Sequence, residues 1–166
     1  MPSVMSNVSH AEEVSMKRNY GKAIVAGLAG GFIGNGVLGA LFSMPLIRSI
    51  LYNPALQSPL FLEITPKRNI PVSVAGLVLL SAIHGVLFAV LRPSIPGVSW
   101  VQKGLFWGFC LWAMYWLFQE WFIYHTLLQE PLILNLLELV LLLSGSLVEG
   151  LVIAFFLERK ASAPAA

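Results

Sequence analysis

Four long apolar stretches dominate this chain and constrain its fold more than any other feature. They cover residues 20–42, 72–91, 104–127 and 132–157. Each provides about the 20 residues that an α-helix needs to cross a hydrocarbon core of about 30 Å. The expected fold class is therefore all-α, an integral membrane four-helix bundle that forms a single transmembrane domain over residues 1–166.

The composition agrees with a membrane location and excludes some function classes. Hydrophobic residues make up 57% of the chain and charged residues 11%, against roughly 25% charged in soluble domains. The net charge of +2 and the lack of a dense basic cluster argue against a nucleic-acid partner. The single cysteine, Cys110, lies inside the third stretch and is interpreted as a small buried hydrophobe.

The distribution of lysine and arginine predicts the orientation. The first stretch follows a polar tail, residues 1–19, that is long for a secretory leader, so it is interpreted as a retained span. Seven basic residues would lie on the side of the two termini and three on the other side, which favours cytoplasmic termini. The seven are Lys17, Arg18, Lys22, Arg92, Lys103, Arg159 and Lys160, and the three are Arg48, Lys67 and Arg68.

One long connection, residues 43–71, differs from the other loops. It contains five prolines and many apolar residues, so it is expected to form a structured cap or short interfacial pieces against the membrane surface or a partner. Residues 46–52 are predicted to be one interfacial helix. The remaining connections are short, which predicts that spans two, three and four run antiparallel and side by side.

Small residues in the first span indicate close helix packing. Gly27, Gly31, Gly34 and Gly39 recur at helical spacing, and small residues let a neighbouring backbone approach closely. This face is interpreted either as packing inside the bundle or as a surface for self-association. A nucleotide-binding loop is not expected, because no strand precedes these glycines.

Aromatic residues concentrate in the third span. Trp107 and residues 121–124 are predicted to lie near opposite membrane interfaces, where amphipathic rings anchor a helix. Trp112 and Trp116 are predicted nearer the middle, as packing or lipid-facing residues.

Polar side chains within the spans are the candidates for function. A charge at mid-depth costs a few kcal/mol, so each ionisable group there is a functional-site hypothesis. The candidates are Asn35, His84, Gln119, Glu120, Glu138 and Glu149.

The helical rise predicts how deep these residues lie. His84 and Glu149 each stand about 12 Å from the cytoplasmic end of their span, so a His–Glu contact is expected. Asn35 and Glu120 are both expected near the middle of the membrane.

The helical turn predicts which neighbours they face. Glu138 and Glu149 are separated by about 20° around the fourth span, so both should point into the bundle. Glu138 and His125 are expected in the outer quarter. Glu120 and His125 are about 140° apart and should face different neighbours.

Several roles remain open for these residues. They could fix helix register by hydrogen bonding, or form a proton or ion pathway through Glu149, Glu120 and His84. A haem held by His84 and His125 is unfavourable, since their depths differ by about 13 Å. A metal set of His84, Glu149 and Glu120 lacks a recognised ligand spacing, and no motif predicts catalytic residues, a metal or a cofactor.

Three segments carry a resemblance to known proteins. They are the glycine-rich residues 26–34, residues 81–88 around His84, and residues 104–112 with their alternating glycines and aromatics. Together they resemble uncharacterised bacterial four-span integral membrane proteins of unknown function. The chain departs from them in its proline-rich loop and in Gln119–Glu120, and the resemblance implies no functional residue.

Three functions are compatible with these features. The first is a small non-enzymatic membrane protein in a bacterial inner membrane, acting as an accessory or assembly subunit of a larger membrane complex. The second is a small oligomeric transporter or proton- or ion-conducting protein. The third is a membrane enzyme acting on lipid or quinone. The expected partners are the lipid bilayer and either another membrane protein or further copies of this chain.

Overall fold

Helices make up all of the regular structure in the computed structural model, which describes residues 3–63 and 69–159. Within these ranges, side chains are described from residue 20 onward, apart from Phe61. The expected all-α class is confirmed for the described residues. The α-helices are α1 (Ser3–Ser43), α2 (Pro45–Leu51), α3 (Pro59–Glu63), α4 (Ile70–Leu91), α5 (Trp100–Leu111) and α6 (Leu132–Glu158).

Three of the described helices are long and apolar enough to cross a membrane. They comprise Tyr20–Ser43, Ile70–Ser94 and Leu132–Glu158, which match the first, second and fourth apolar stretches. Part of the charge pattern used for orientation lies outside the described side chains. This part comprises Lys17, Arg18, Lys67, Arg68 and Lys160.

The third apolar stretch is also helical, but its winding changes along its length. Helix α5 is followed by π-helical segments at Trp112–Trp116 and Gln119–Leu127. A π-helix joins each residue to the fifth one along, and the Leu128 amide accordingly donates to the Ile123 carbonyl at 3.0 Å. The lengthened spacing changes which side chains share a face of this segment.

Capping side chains determine where α4 and α5 begin. The Asn69 side chain accepts from the Val72 amide at 3.3 Å. Ser99 and Gln102 form a reciprocal capping box at the start of α5, which satisfies amides that have no helical partner. Helix α5 therefore starts at Trp100, before the predicted boundary of residue 104.

Glycines allow α1 to approach α4 and α6 closely. A Cβ atom at Gly27 would overlap the Ser81 carbonyl oxygen and the backbone of Gly85, both on α4. A Cβ atom at Gly34 would lie 2.9 Å from the Gly145 carbonyl oxygen on α6. Gly31 likewise faces the Ser81 side chain, whereas Gly39 has nothing within 4 Å.

The neighbours of α4 and α5 differ from the expected arrangement. The extensive contacts of α4 are with α1, and those of α5 are with α6. Helices α4 and α5 touch through the rings of Phe88 and Trp107, whose centroids lie 5.8 Å apart. Trp107 is only 6% exposed, so its predicted role as an interfacial anchor is wrong. Close approach at Gly104 and Gly108, where added Cβ atoms would press on the α6 backbone, keeps α5 against α6 instead.

An ionic cluster joins three helix ends at the predicted cytoplasmic side. The Arg92 guanidinium donates to Glu158 at 3.1 Å and forms a second ion pair with the other carboxylate oxygen. Lys103 Nζ lies 3.6 Å from the same carboxylate. Glu158 therefore aligns the end of α4 and the start of α5 with the end of α6.

The connection between α1 and α4 folds into short helices, as its prolines predict. Helix α2 and a 3-10 turn at Pro54–Leu56 precede α3. Leu51 is buried against Leu134 and Leu141 of α6, and Ser58 Oγ donates to the Leu128 carbonyl at 2.6 Å. This segment, called the outer cap below, therefore packs against the Leu132 end of α6, called the outer end, and against the turn before it.

Candidate functional site

The first polar group joins α4 to α6. His84 Nδ1 lies 2.8 Å from Glu149 Oε1, so the predicted His–Glu contact is present. The side chains are 22% and 12% exposed, respectively. An imidazole and a carboxylate at this distance can share or exchange a proton.

A cavity of about 290 Å³ surrounds this pair. Its wall combines His84 and Glu149 with Ser73 and Ser81 of α4, Asn35 of α1 and Tyr115 of the third apolar stretch, and the rest of the wall is largely apolar. Asn35 Nδ2 donates to the Gly31 carbonyl at 2.8 Å. Asn35 therefore belongs to the His84–Glu149 group. The depth estimate predicts the same level for Asn35 and Glu120, and this prediction is wrong.

Glycines of α1 make room for this group. A Cβ atom at Gly30 would lie 2.9 Å from the Glu149 carbonyl oxygen, and one at Gly34 would lie 3.1 Å from the Glu149 Cβ atom. The absence of side chains at these two positions lets α6 bring Glu149 against α1 while its carboxylate reaches His84 on α4.

The second polar group is a cluster of three carboxylates at the opposite end of α6. One ligand atom each from Glu120, Glu130 and Glu138 lies within 4.8 Å of the other two. Glu120 and Glu130 are 2% and 3% exposed.

The position of Glu120 corrects its expected depth. Glu120 follows Trp100, the first residue of α5, by 20 positions, and Glu138 precedes Glu158, the last residue of α6, by 20 positions. The two helix ends are held together by the ionic cluster at Glu158. Equal spacing from that common end places Glu120 level with Glu138 in the outer part of the molecule, because the Ser99 cap starts the helix earlier than residue 104.

A tight turn brings Glu130 into the cluster. Gln129 adopts a positive φ of 56°, a conformation uncommon for residues other than glycine, and Pro131 follows at the start of α6. The Glu130 amide donates to the Tyr124 carbonyl at 3.0 Å, and His125 Nδ1 lies 2.8 Å from the Glu130 carbonyl oxygen. These contacts hold the turn so that the Glu130 side chain is buried.

Asn135 connects the turn to the cluster. Its Nδ2 donates to the Glu120 carbonyl at 2.6 Å and approaches Glu120 Oε2 at 3.3 Å. No hydrogen-bond donor among the described residues reaches Asn135 Oδ1 or Glu130 Oε2. Burial raises the pKa of the Glu130 carboxyl, while the Asn135 amide and the nearby His125 oppose this rise.

The π-helical segment Gln119–Leu127 explains why one expectation about the third apolar stretch is wrong. His125 and Glu120 do not face different neighbours, since both contact residues between Glu130 and Glu138. The estimated angle of about 140° assumed α-helical winding, and π-helical winding reduces it.

The remaining candidates from the sequence are Gln119 and the metal set of His84, Glu149 and Glu120. Gln119 Nε2 lies 3.5 Å from the Tyr124 hydroxyl and joins neither group. The metal set of His84, Glu149 and Glu120 is not assembled, because Glu120 lies in the carboxylate cluster. Sequence reasoning missed Glu130, whose position in a short polar turn is typical of a solvent-exposed residue.

A second cavity, of about 250 Å³, adjoins the carboxylate cluster. Glu130 and Glu138 form part of its wall, and the rest comes from the outer cap: Leu51, Tyr52, Pro54, Gln57 and Leu62. The carboxylates are therefore next to a space that the outer cap closes on one side.

Comparison with known proteins gives no similar site from which to interpret the two polar groups and their cavities. This chain matches no protein-family model, no curated protein and no solved structure.

Proposed function

We propose that this chain is a small membrane protein that conducts protons or small cations through the polar interior between its helices. The observation that carries the proposal is the contact between His84 and Glu149 beside a cavity that several polar side chains line. Ionisable groups within membrane spans are costly and commonly form ion pathways. Placing two of them in contact, on different helices, provides a group that can accept and release a proton.

The surroundings of the pair support proton exchange. A cavity of about 290 Å³ has room for several water molecules, each of which occupies about 30 Å³ in the liquid. Asn35, Ser81 and Tyr115 offer hydrogen-bonding groups to such water. Glu149 and Glu138 lie eleven residues apart on α6, or about 16 Å, so water would have to link the two polar groups.

The proposal includes a four-span topology with both termini in the cytoplasm of a bacterium. The segment Trp100–Leu127 is about as long as α6 and packs against it, which supports its crossing the membrane as the third span. The excess of lysine and arginine on the side of the termini supports the orientation. The resemblance to bacterial four-span proteins supports an inner-membrane location.

Proton flux into liposomes tests this function. Purified wild-type protein is reconstituted with an internal pH indicator, and a potassium diffusion potential drives entry. We expect Glu149→Gln to abolish most of the flux, because glutamine keeps the shape but cannot release a proton. The matched control is Glu63→Gln, which changes an exposed acid of the outer cap and should conduct like the wild type.

Two results would contradict the proposal. One is wild-type flux no greater than that of protein-free liposomes, with sodium and potassium also tested as the driven ions. The other is full flux in Glu149→Gln at equal reconstitution.

A second candidate function, an accessory or assembly subunit of a larger membrane complex, is favoured by the outer cap. Leu46 and Tyr52 are 70% and 66% exposed there, and exposed apolar patches commonly mark interaction sites. Purification from native membranes in mild detergent, followed by mass spectrometry, tests this role. A stoichiometric partner that is lost from Leu46→Ser would support it, whereas recovery of only this chain, alone or as a homo-oligomer, would count against it.

A further inference from the structure

We propose that Glu120, Glu130 and Glu138, together with Asn135 Oδ1, form a binding site for one calcium ion. The site lies at the outer end of the molecule and goes beyond the proposed conduction through the His84–Glu149 group. Its four oxygen donors come from the end of the third span, the following turn and the start of α6.

The geometry of the carboxylates fits a bound cation. Their ligand atoms lie within 4.8 Å of one another. Calcium binds oxygen ligands at 2.3–2.6 Å, so oxygens on opposite sides of the ion are separated by about 4.6–5.2 Å. All three side chains can therefore reach a common ion without a change in backbone position.

An independent observation, at Asn135, points to the same ligand. Asn135 is fully buried, and its Nδ2 is fixed by donation to the Glu120 carbonyl. This orientation assigns Oδ1 as the remaining acceptor, and no described donor reaches it. Leaving a buried acceptor unsatisfied costs about 1–3 kcal/mol, which a cation beside Glu120 would offset.

The charge of the cluster also requires a partner. Among the described residues, no lysine or arginine forms an ion pair with these carboxylates. The other titratable groups that face the cluster are Tyr124 and His125, and His125 contacts the Glu130 backbone. Burying unpaired carboxylates is costly, and a divalent cation would compensate this charge.

The donor set favours calcium over magnesium. Calcium accepts six to eight oxygen ligands in flexible geometry, whereas magnesium keeps several waters and usually binds only one or two carboxylates. Three carboxylates and an amide oxygen leave coordination positions for water, and the cavity beside Glu130 and Glu138 can hold it. The same cavity gives the ion a route from the outer cap.

Equilibrium dialysis with radioactive calcium tests the site on the full chain. The protein is purified in detergent, stripped with a chelator, and assayed at neutral pH. We expect one calcium ion per chain, with an increase in melting temperature on calcium addition. Manganese should compete, and its electron paramagnetic resonance signal provides a direct probe of binding.

Glu138→Gln identifies the ligands. It should weaken calcium binding at least tenfold and remove the thermal shift, whereas Glu63→Gln, which changes an exposed acid, should bind like the wild type. Glutamine removes charge repulsion from the calcium-free cluster, so the variant should still fold. Glu130→Gln, in the turn, provides a second variant with the same expected loss.

Two outcomes would overturn the proposal. The first is the absence of saturable calcium or manganese binding in folded wild-type protein, which would mean that protons neutralise the carboxylates. The second is wild-type affinity in both glutamine variants, which would place any bound ion elsewhere.

Discussion

Single side chains determine how the helix ends are held together. Glu158 is 7% exposed and receives both the Arg92 guanidinium and the Lys103 ammonium. A buried charged group that has lost its partner is costly, and this cost exceeds the net contribution of an intact surface ion pair. The buried Glu158 carboxylate therefore depends on these two cations, although it lies at the edge of a helix.

Glu158→Gln tests how much the ionic cluster contributes to stability. We expect the free energy of unfolding to fall by about 1 kcal/mol, because Arg92 and Lys103 lose a common carboxylate but keep access to water. Thermal unfolding in detergent, followed by circular dichroism, measures the change. Glu63→Gln is the control, and equal melting temperatures for the two variants would show that the ionic cluster adds no stability.

The residues of the two polar groups differ in how well a sequence can predict them. The His84–Glu149 contact follows from helical rise, because both residues lie in uninterrupted helices at similar distances from one end. The same estimate gives the wrong depth for Glu120, because its helix begins at a cap whose position the apolar pattern does not show. Glu130 cannot be identified as a site residue from the sequence, because only the folded turn buries it.

Packing between helices depends on the positions of glycines, which have no side chain. Helix α1 approaches α4 at Gly27 and Gly85, where each glycine faces the backbone of the other helix. Backbone atoms cannot move aside as a flexible side chain can, and overpacking a close contact costs about 1–3 kcal/mol.

Gly27→Ala should therefore separate α1 from α4. We expect a lower melting temperature, corresponding to about 1–3 kcal/mol. Gly36→Ala is the matched control on the same helix, because nothing lies within 4 Å of a Cβ atom there. The control should be neutral or stabilising by up to about 1 kcal/mol through helix propensity. Equal destabilisation of the two variants would refute a role for this contact.

At the scale of elements, hydropathy predicts which segments are helical but not how each one is wound. The third apolar stretch, residues 104–127, resembles the other three in length and apolar content, yet contains the π-helical segments Trp112–Trp116 and Gln119–Leu127. Neither π-helical segment contains a proline or a glycine from which the change in winding could be predicted. The contacts that accompany it, such as Asn135 with the Glu120 carbonyl, join residues that only the tertiary structure brings together.

Across the whole molecule, α1 and α6 form the centre, with α4 against α1 and α5 against α6. A short connection between α4 and α5 predicts adjacent, antiparallel helices, but the glycine contacts favour other neighbours. The cavity beside His84 and Glu149, with His84 on one side and Tyr115 and Trp116 on another, lies where α4 and the third apolar stretch are not tightly packed.

Single-cysteine labelling tests the four-span topology. In a Cys110→Ser background, Val98→Cys should react with a membrane-impermeant maleimide only in inverted vesicles, because it lies in the predicted cytoplasmic loop. Val98 is 96% exposed, so its reactivity reports on the side of the membrane. Gln129→Cys should react only in right-side-out vesicles. Labelling of both positions from the same side would mean that the segment Trp100–Leu127 does not cross.

The turn at Gln129–Pro131 also has a consequence for how the chain is made. Glu120 leaves the ribosome before Glu130, Asn135 and Glu138, the residues that later surround it. An acidic residue alone in lipid carries an insertion penalty of about 2.5–3.5 kcal/mol at the centre of a helix, and the penalty for Glu120, which lies toward the outer end of its segment, is smaller. If the segment Trp100–Leu127 crosses the bilayer as proposed, this penalty favours its entry together with α6 as a helical hairpin.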